Sequence, residues 1–517
     1  MKLLNRFSIL LIIVFCFIIL TLSLRGLTGN PTSKELAAPK WELNGPFELS
    51  PERGRFILTY SILENKSFQF SDNLANFASP DVAVTKDGKY ASLFAPLVSF
   101  ITIPGYIIGR YLGTSQVGVF AVIAIFALLN TILLRQIAVK LGANNFAATI
   151  ASVVFIFGTP AFAYAVNLYQ HHMSTFLILL SIYALLKTEK FWSFLIVFFL
   201  CAVAIPLDYP NLFFMLPIGV FALGRIISFK SKKSKLLIKT NLLKILTPAI
   251  MIIPILFFLW FNTVSFGNPF QLSGTLKTIQ DVNKKLISKS SIERFQPSLE
   301  KTSGNKKTAI GFFKTRNILN GLYIHFVSPD RGIIYYTPVV LFGVIGFLLA
   351  LKKKVQMTPL LTAIFGANVL LYSMWGDPYG GWAFGSRYLI PSYAILSIFI
   401  ALLITYWRKK VLFWTVFIFV SFYSIAVNTL GAITTSAIPP KVEVLNLEKL
   451  SGHVQKYTYE RNWDLLVAGH SKSFIYQTFA KDYLTSIQYY QIIVVSIFLV
   501  MGGLILYYIA FGKDKND

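Results

Sequence analysis

The sequence predicts an all-α polytopic membrane protein with about twelve transmembrane helices, between eleven and thirteen, and large extracytoplasmic loops. Composition is the first indication, because 55% of the 517 residues are hydrophobic and only 14% are charged. The mean hydropathy of +0.62 is higher than that of soluble domains of this length. The second indication is a series of thirteen apolar runs, most of them close to the roughly 20 residues with which a helix crosses a bilayer.

The apolar runs divide the chain into membrane helices and loops. The runs cover residues 7–24, 92–112, 117–135, 146–166, 172–186, 190–206, 210–228, 244–262, 333–351, 357–374, 388–407, 411–430 and 491–511. The sequence therefore predicts five regions: an N-terminal transmembrane module (1–262) that includes a long first loop (25–91), a second loop (263–332), C-terminal helices (333–430) with a short loop at 375–388, a third loop (431–490), and the last helix with a cytoplasmic tail (491–517).

The basic residues indicate the side of the membrane on which each loop lies. The net charge is +26, but the Lys and Arg residues alternate with apolar runs, so we attribute them to topology and contact with anionic lipids rather than to nucleic acid. Short cytoplasmic loops retain Lys and Arg. The basic clusters that we place inside are Lys187 with Lys190, 230–244, 352–354 and 408–410. The three long loops and 375–388 then face outward from a plasma (inner) membrane, and both termini are cytoplasmic.

One apolar run does not fit this orientation as a crossing. Seven runs separate the first long loop from the second, and an odd number of crossings cannot return the chain to the same side. The run 92–112 contains Pro96, Pro104, Gly105 and Gly109, which suit a re-entrant or interfacial segment buried in protein. We therefore expect residues 92–166 to contain one piece that fails to cross, with 92–112 the first choice.

The cysteines and the first apolar run both fit a membrane-embedded chain. Cys16 and Cys201 are the two cysteines and lie inside apolar runs, so no disulfide framework or paired-cysteine metal site is predicted. The run 7–24 is long and lacks a small-residue cleavage site, which favours a membrane anchor over a cleaved signal peptide.

The first loop contains a predicted helix with an acidic first turn. Ser50 is a suitable N-cap and Pro51 a suitable first helical residue for the segment SPERGRFILTYSILE at 50–64. Its apolar residues recur at helical spacing, so we expect an amphipathic helix along the membrane surface. Glu52 then either complements the helix dipole or acts as an ionised carboxylate that accepts a proton.

Polar residues just before the second apolar run form another candidate site. The segment SPDVAVTKDGKYASLFAP at 79–96 combines Asp81, Lys86, Lys89 and Tyr90 with a turn. Two cations at a lipid surface are suited to bind phosphate. The alternative is lysine side chains that extend from an interfacial turn to water.

His171, His172 and Asp208 stand at predicted outward helix ends. Polar residues there are costly next to lipid and therefore draw attention. Adjacent histidines cannot share one helical face, and the sequence lacks metal-ligand spacing. We predict no metal ligand set, and a divalent cation stays an open alternative.

The loop after residue 374 is the most informative short segment. The sequence WGDPYGGWAFGSRYLIP at 375–391 packs Trp375, Asp377, Arg387 and Tyr388 among four glycines. Glycine permits close approach of a ligand to the backbone, aromatic rings stack on sugars, and arginine binds phosphate in bidentate fashion. An aromatic belt with an interfacial arginine is the alternative. The segment SPDRGIIYYTP at 328–338 offers a second arginine, Arg331, in a comparable position.

The order of these elements resembles the C-fold (GT-C) membrane glycosyltransferases. The shared features are an acidic helix in the first outer loop, the proline-containing segment FAPLVSF at 94–100, many spans and a late glycine-rich outer loop. The resemblance is to family 39-like enzymes, the protein O-mannosyltransferases and lipid A aminoarabinose transferases, and to uncharacterised bacterial members. It covers roughly residues 1–400 in layout.

The matched positions include departures from the family pattern. Glu52 resembles the first residue of an acidic pair, Arg53 replaces the second, and Arg55 with Phe56 matches a basic-aromatic step. The family's Lys-Pro-Pro-Leu element corresponds to Ala95, Pro96 and Leu97, so its lysine is missing and Lys86 or Lys89 would substitute. No acidic residue stands near His171 and His172, where the family often has one.

The resemblance implies transfer of a hexosyl or pentosyl group from a polyprenyl-phosphate donor to a glycan, lipid or protein acceptor at the outer face, with inversion. Glu52 would be the catalytic base and Arg387 the first choice for the donor phosphate. The alternates for the phosphate are Arg55, Lys86, Lys89 and Arg331. The other residues expected to line the site are Asp81, Tyr90, His171, His172, Asp208, Trp375, Asp377 and Tyr388.

Two other functional classes remain open at this stage. A polymerase or ligase of surface glycans uses the same donors and also places arginines in outer loops. A flippase or transporter of polyprenyl-linked glycans predicts internal repeats and ionisable residues in mid-membrane, whereas the charges of this sequence lie at segment ends and no repeat is visible. The sequence has no glycine-rich nucleotide-binding loop, so direct use of ATP is not indicated.

Overall fold

The computed structural model describes residues 2–42, 45–232, 235–240, 242–279, 311 and 313–511. Parts of the second loop (280–310 and 312), parts of the basic run 230–244 and the tail 512–517 lie outside the described residues.

The described chain is helical with short strands. The helices are α1 Lys2–Ser23, α2 Ser33–Leu36, α3 Pro39–Glu42, α4 Ser50–Glu64, α5 Asp72–Ala78, α6 Leu97–Ile101, α7 Ile103–Tyr111, α8 Ser115–Lys140, α9 Asn145–Phe157, α10 Ala161–Ala165, α11 His171–Lys187, α12 Phe191–Leu207, α13 Asn211–Ile226, α14 Leu242–Ile245, α15 Ile252–Phe266, α16 Ile318–Phe326, α17 Ile333–Tyr336, α18 Leu341–Lys352, α19 Thr358–Ser373, α20 Ile390–Tyr406, α21 Val411–Ile433, α22 Lys441–Ser451, α23 Glu460–Val467 and α24 Ser486–Phe511. The strands are β1 Gln69–Phe70, β2 Val82–Val84, β3 Tyr90–Ser92, β4 Ile227–Lys232, β5 Lys235–Thr240 and β6 Lys277–Thr278.

Twelve apolar helices in the described residues confirm the predicted fold class. Five are long enough to cross a bilayer by length and composition: Ser115–Lys140, Leu243–Phe266, Arg387–Tyr406, Val411–Ile433 and Ser486–Phe511. Seven more are shorter: Leu10–Ser23, Asn145–Phe157, His171–Lys187, Phe191–Leu207, Asn211–Ile226, Pro338–Lys352 and Thr358–Ser373. Helix α20 lies at the centre, since every residue from Ile390 to Thr405 is buried.

The segment 92–112 folds as two short helices. Helix α6 has five residues and α7 has nine, so α7 rises only about 14 Å at 1.5 Å per residue, less than half of the roughly 30 Å hydrocarbon core. Glycine permits its tight packing on α8, because a Cβ on Gly105 would come within 2.3 Å of the Gly118 carbonyl oxygen. These lengths agree with a segment that does not cross, as the orientation requires.

The loops pack together into one layer, which we call the loop layer. A four-stranded antiparallel sheet of order β1-β3-β2-β6 contains strands of both the first and the second loop, with Ala83 opposite Thr278. Arg25 forms a β-bridge with Ser473 of the third loop. Arg331 donates to the carbonyl oxygens of Gly381 and Ile438. The described parts of the three long loops and the loop 375–388 therefore lie on the same side of the helix bundle.

A buried carboxylate ties the first loop to the third. Glu48 Oε2 accepts hydrogen bonds from Arg25 Nη1 at 2.6 Å and from the backbone N–H of Ser436 at 2.8 Å, while Lys472 Nζ lies 3.3 Å from Oε1. Burial by itself would raise the pKa of Glu48, but the charges of Arg25 and Lys472 outweigh it and hold that pKa below its usual range. Sequence analysis did not single out Glu48.

Helix α4 has the predicted bounds but not the predicted environment. Its residues Glu52 to Ser61 are all buried, so an amphipathic helix along the membrane surface is the wrong description. The helix packs inside the loop layer against α5, α6 and strands β1 and β3. Leu49, in extended conformation, precedes its first turn, and Ser50 is already helical rather than the N-cap. Long-range packing covers both faces of a helix whose own sequence suggests one exposed face.

We predict that residues 92–112 leave and re-enter on the same side, and cysteine labelling tests this. The variants Lys86→Cys, Tyr111→Cys, Lys140→Cys and Lys190→Cys place thiols at exposed positions, while the native cysteines are buried. In intact cells an impermeant maleimide should label positions 86 and 111, and should reach 140 and 190 only after permeabilisation. Labelling of 86 and 111 from different sides would show that the segment crosses.

Candidate functional site

Helix α4 brings Arg55 to the edge of the helix bundle. Its Nη2 donates to Gln170 Oε1 at 2.6 Å, and Nη1 donates to the Pro51 carbonyl at 3.1 Å. The guanidinium carbon lies 4.8 Å from the centre of the Phe94 ring and 5.6 Å from that of Tyr169. Arg55 is 4% exposed, and its Nε has no hydrogen-bond acceptor among the described residues. One nitrogen of a buried cation is thus left for another partner.

The glycine-rich loop positions Arg387. Asp377 accepts hydrogen bonds from the backbone N–H groups of Tyr379 and Gly381, which holds the turn. Arg387 Nη2 donates to the Gly380 carbonyl at 2.6 Å. A Cβ on Gly380 would lie 3.1 Å from the Tyr388 ring and 3.3 Å from Arg387 Nε, and its φ of +73° is left-handed, so glycine is required there.

The guanidinium of Arg387 is largely uncommitted. Its carbon lies 4.7 Å from the centre of the Tyr169 ring and 5.6 Å from that of Tyr388. Nε and Nη1 are buried and have no acceptor that meets hydrogen-bond geometry in the described structure, although the hydroxyls of Tyr169 and Tyr388 lie close to the guanidinium. Buried donors without acceptors are costly, which indicates that an anion belongs at this position.

The two arginines converge on Tyr169. Burial is the main factor that lowers the pKa of Arg55 to about 10, and the Arg387 charge adds to it, while Asp208 acts in the opposite direction. Two cations held together without a full set of acceptors make a site for an anion with several oxygens, such as phosphate. We call Arg55 and Arg387 the arginine pair.

Asp208 lies beside the arginine pair and is partly exposed. Its Oδ2 accepts from Gln170 Nε2 at 3.0 Å, so Gln170 bridges Arg55 and Asp208. Burial raises the pKa of Asp208 to about 6, against the opposing effects of Arg55, the Gln170 hydrogen bond and Arg387. Its field also acts on the hydroxyls of Tyr209, Tyr372 and Tyr388. A carboxylate with this pKa changes charge near neutral pH.

Glu52 is fully buried and uses its two oxygens differently. Oε2 accepts from the backbone N–H of Glu48 at 2.8 Å and of Leu49 at 3.4 Å, which caps α4. Oε1 is buried and has no donor among the described residues. Burial raises the pKa of Glu52, Arg25 opposes this effect, and Glu48 adds to it. Oε2 therefore fits the interpretation of Glu52 as a residue that stabilises the helix start, and Oε1 fits the interpretation of Glu52 as a carboxylate that accepts a proton.

Aromatic side chains surround the same space. Tyr388 stacks on Tyr372 with ring centres 4.0 Å apart, and His171 stacks on Tyr169 at 5.8 Å. His171 Nε2 is buried without a hydrogen bond in the described structure. Trp375 packs edge-on against Tyr372 at 5.9 Å. Such rings offer flat surfaces to a sugar.

Four other residues expected at the site lie just before β2, in the turn after it or on β3. Lys86 and Lys89 occupy the exposed turn between β2 and β3. Tyr90 pairs in β3 with Phe70 and Val84. Asp81 accepts from Ser50 Oγ at 2.6 Å.

Arg331 and His172 have structural partners. Arg331 is 0% exposed and donates through its three nitrogens to the carbonyl oxygens of Tyr379, Asp330, Gly381 and Ile438. It joins the loops and has no face open to a donor phosphate. His172 Nε2 lies 2.7 Å from the Ala161 carbonyl oxygen, away from the arginine pair.

Sequence analysis missed Tyr169, Gln170 and Phe94 as site residues. Tyr169 and Gln170 directly precede the two histidines that the sequence did single out, and Phe94 opens the FAPLVSF segment. Their position next to these motifs is the feature of the sequence that could have identified them as site residues. Within the described residues no group of three or more His, Cys, Asp or Glu side chains is arranged to hold a metal ion.

Comparison with known proteins gives no family assignment. No protein-family model matches the chain, and no curated protein matches it in sequence. Among solved structures, ArnT from Cupriavidus metallidurans in the apo state aligns over 98% of this chain and 77% of its own, with 12% identity and a TM-score of 0.47. The same protein bound to undecaprenyl phosphate aligns over 98% and 78%, with 13% identity and a TM-score of 0.44.

Proposed function

We propose that the protein is a membrane glycosyltransferase that moves a sugar from a polyprenyl-phosphate donor to an acceptor at the extracytoplasmic face, with inversion at the anomeric carbon. The arginine pair with its unused nitrogens is the observation that carries this proposal. Tyr169 precedes α11 by two residues and Arg387 precedes α20 by three residues, and this position at helix ends supports binding of a phosphate whose lipid chain stays in the bilayer. The sequence resemblance to the C-fold glycosyltransferases supports the same reading.

The proposed roles follow from the chemistry of the transfer. The acceptor oxygen forms a bond to the anomeric carbon while the bond from that carbon to the phosphate oxygen breaks. The leaving phosphate gains negative charge, and Arg387 and Arg55 stabilise that charge as it develops. The acceptor hydroxyl loses a proton, for which Oε1 of Glu52 is the proposed base. The energy resides in the donor, so no nucleotide is consumed.

Glu52 is buried, so the proposed role as base requires that the acceptor gain access to its carboxylate. Glu52 is 0% exposed, yet its charge acts on Arg55 and on the Tyr169 hydroxyl, so it lies at the border of the same site. Because Oε1 is buried, the acceptor must displace protein side chains to reach it. Catalytic hydrogen bonds often tighten only when substrate is bound.

A donor-consumption assay tests the proposed function. Purified protein in detergent–lipid micelles is incubated with radiolabelled polyprenyl-phosphate sugars, one at a time, with a glycan, lipid or protein acceptor mixture. We expect consumption of one donor and release of polyprenyl phosphate. Polymerase or ligase activity would transfer an oligosaccharide from a polyprenyl-linked donor, and a flippase would move the labelled lipid across vesicles without cleaving it. Absence of cleavage for every donor would contradict the proposal.

The pH dependence of donor binding should depend on Asp208. Above its pKa of about 6, Asp208 is negatively charged beside the arginine pair and repels the donor phosphate, so the donor KM of the wild type should rise as pH increases through this value. Asp208→Asn should give a donor KM that is nearly independent of pH.

Steady-state kinetics over about two pH units on either side of that pKa would measure the effect. The matched control is Asp87→Asn, which removes an exposed carboxylate in the turn between β2 and β3 and should keep the wild-type profile. A pH-dependent KM that persists in Asp208→Asn would show that another group titrates.

A further inference from the structure

Arg135 is a cation inside a membrane helix, far from the arginine pair. Helix α8 begins at the loop layer, where the backbone N–H of Ser115 donates to Asn30 Oδ1 at 2.9 Å. Arg135 lies twenty residues further along the same helix, a rise of about 30 Å, which equals the usual thickness of the hydrocarbon core. Arg135 is therefore at the boundary of the leaflet opposite to the loop layer.

Neutral oxygens hold this guanidinium. Nε donates to Thr149 Oγ1 and Nη2 to Asn145 Oδ1, each at 2.9 Å. The Thr149 hydroxyl gives its own proton to the Asn145 carbonyl at 2.8 Å, so it acts on Arg135 as an acceptor. These contacts fix the position of the cation and leave its charge uncompensated.

An apolar pocket opens beside Arg135. Its volume is about 130 Å³, and it lies between α1, α8 and α9. Ile13 and Cys16 of α1 and Leu128 and Ile132 of α8 contribute its apolar wall, with Arg135 and Thr149 as polar members. A cation next to an apolar pocket matches the two parts of a phospholipid, its phosphate and its acyl chain.

The three helices around the pocket offer no anion of their own. The sequence has no Asp or Glu in residues 1–34 or 88–188, which include all of α1, α8 and α9. Arg135 and Lys140 both lie near the end of α8 that is opposite to the loop layer. An ionised group at the hydrocarbon boundary needs a partner, and in a bilayer the available anions are lipid headgroups.

We propose that the pocket between α1, α8 and α9 binds an anionic glycerophospholipid of the leaflet opposite to the loop layer, with the lipid phosphate on Arg135 and the start of an acyl chain against Ile13 and Leu128. Arg135 and Lys140 at this end of α8, together with the absence of Asp and Glu from the three helices, favour a lipid with net negative charge over a zwitterionic one. This site is independent of the proposed transferase activity.

Lipid retention by the full-length protein tests the site. The protein is reconstituted in nanodiscs of phosphatidylglycerol and phosphatidylcholine in equal amounts, and the lipids that stay bound are counted by native mass spectrometry. The wild type should retain phosphatidylglycerol in preference. Arg135→Gln should reduce that retention roughly fivefold, the effect of about one favourable cation at a lipid surface.

Two further variants separate the pocket from general charge. Ile13→Trp keeps every charge but fills the space, and it should also lose the retained lipid. Lys190→Gln removes an exposed cation from another turn, which the topology places at the same face, and it should retain phosphatidylglycerol like the wild type. Equal retention of both lipids by the wild type would overturn the proposal, and so would unchanged retention of phosphatidylglycerol by Ile13→Trp. The Ile13→Trp result tests the pocket even if Arg135→Gln fails to fold.

Discussion

Replacement of Glu52 by glutamine is expected to lower the rate of sugar transfer by about 10²- to 10⁴-fold, the usual contribution of a general base, while donor affinity stays nearly unchanged. Glutamine keeps the shape of the side chain and an oxygen that can accept from the backbone N–H of Glu48. It cannot take a proton from the acceptor. The loss should therefore fall on kcat rather than on donor binding. Single-turnover transfer rates and equilibrium binding of the donor measure the two quantities separately.

The buried position of Glu52 makes a stability control necessary. Oε2 caps α4, so any loss of this cap would appear as a lower midpoint of thermal unfolding. Glu64→Gln is the matched control, because Glu64 ends the same helix and contacts Tyr106 at 2.9 Å, away from the arginine pair. Near-normal turnover in Glu52→Gln would mean that Glu52 serves only as a helix cap, and Asp208 would then be the next candidate for the base.

Replacement of Arg387 by alanine is expected to weaken donor binding and to slow transfer as well. A hydrogen bond to a charged group contributes about 1.5–3 kcal/mol, so donor affinity should fall roughly 10- to 100-fold. The same guanidinium stabilises the phosphate charge that develops as the sugar departs, which should cost about another 10²- to 10³-fold in kcat, as for other preorganised donors. Donor binding and single-turnover kinetics, measured side by side, would detect both losses.

Two further variants make the Arg387 result specific. Arg387→Lys keeps a positive charge but loses the planar pair of donors, so it should recover part of the binding and little of the rate. Arg316→Ala removes an exposed arginine of the second loop and should behave as the wild type. Unchanged donor affinity in Arg387→Ala would place the phosphate elsewhere, with Arg55, Lys86 and Lys89 as the remaining sequence candidates.

The membrane architecture was predictable from local sequence. Hydrophobic runs identify helices in lipid because each crossing needs its own apolar length, and this information is local. The prolines and glycines of 92–112 indicated a re-entrant or interfacial segment, and the structure has the two short helices α6 and α7 there. Helix α4 runs from Ser50 to Glu64 and begins only one residue before the predicted Pro51, since capping and proline preferences act within one turn.

Part of the candidate site was also visible in the sequence. Glu52, Arg55, Asp208, Arg387 and Tyr388 were singled out from motif chemistry. In the structure Arg55 and Arg387 lie against the Tyr169 ring, Gln170 joins Asp208 to Arg55, and Tyr388 packs beside Arg387. Arg331 looked equivalent to Arg387, because both are arginines ahead of an apolar run. Four backbone carbonyls occupy Arg331, whereas Arg387 keeps two buried nitrogens without acceptors in the described structure. Which arginine is available depends on where those carbonyls lie after folding.

The sequence by itself determined that this chain is a bundle of membrane helices, which apolar segments form them, and which loops carry clustered polar residues. Only the tertiary structure decided which of those residues meet. Arg55 reaches Gln170 across 115 positions of sequence, and Glu48 reaches Ser436 across 388. Helix formation and lipid solvation depend on a residue and its near neighbours, but the partners of a buried charge depend on how distant segments pack, and no local pattern encodes that packing.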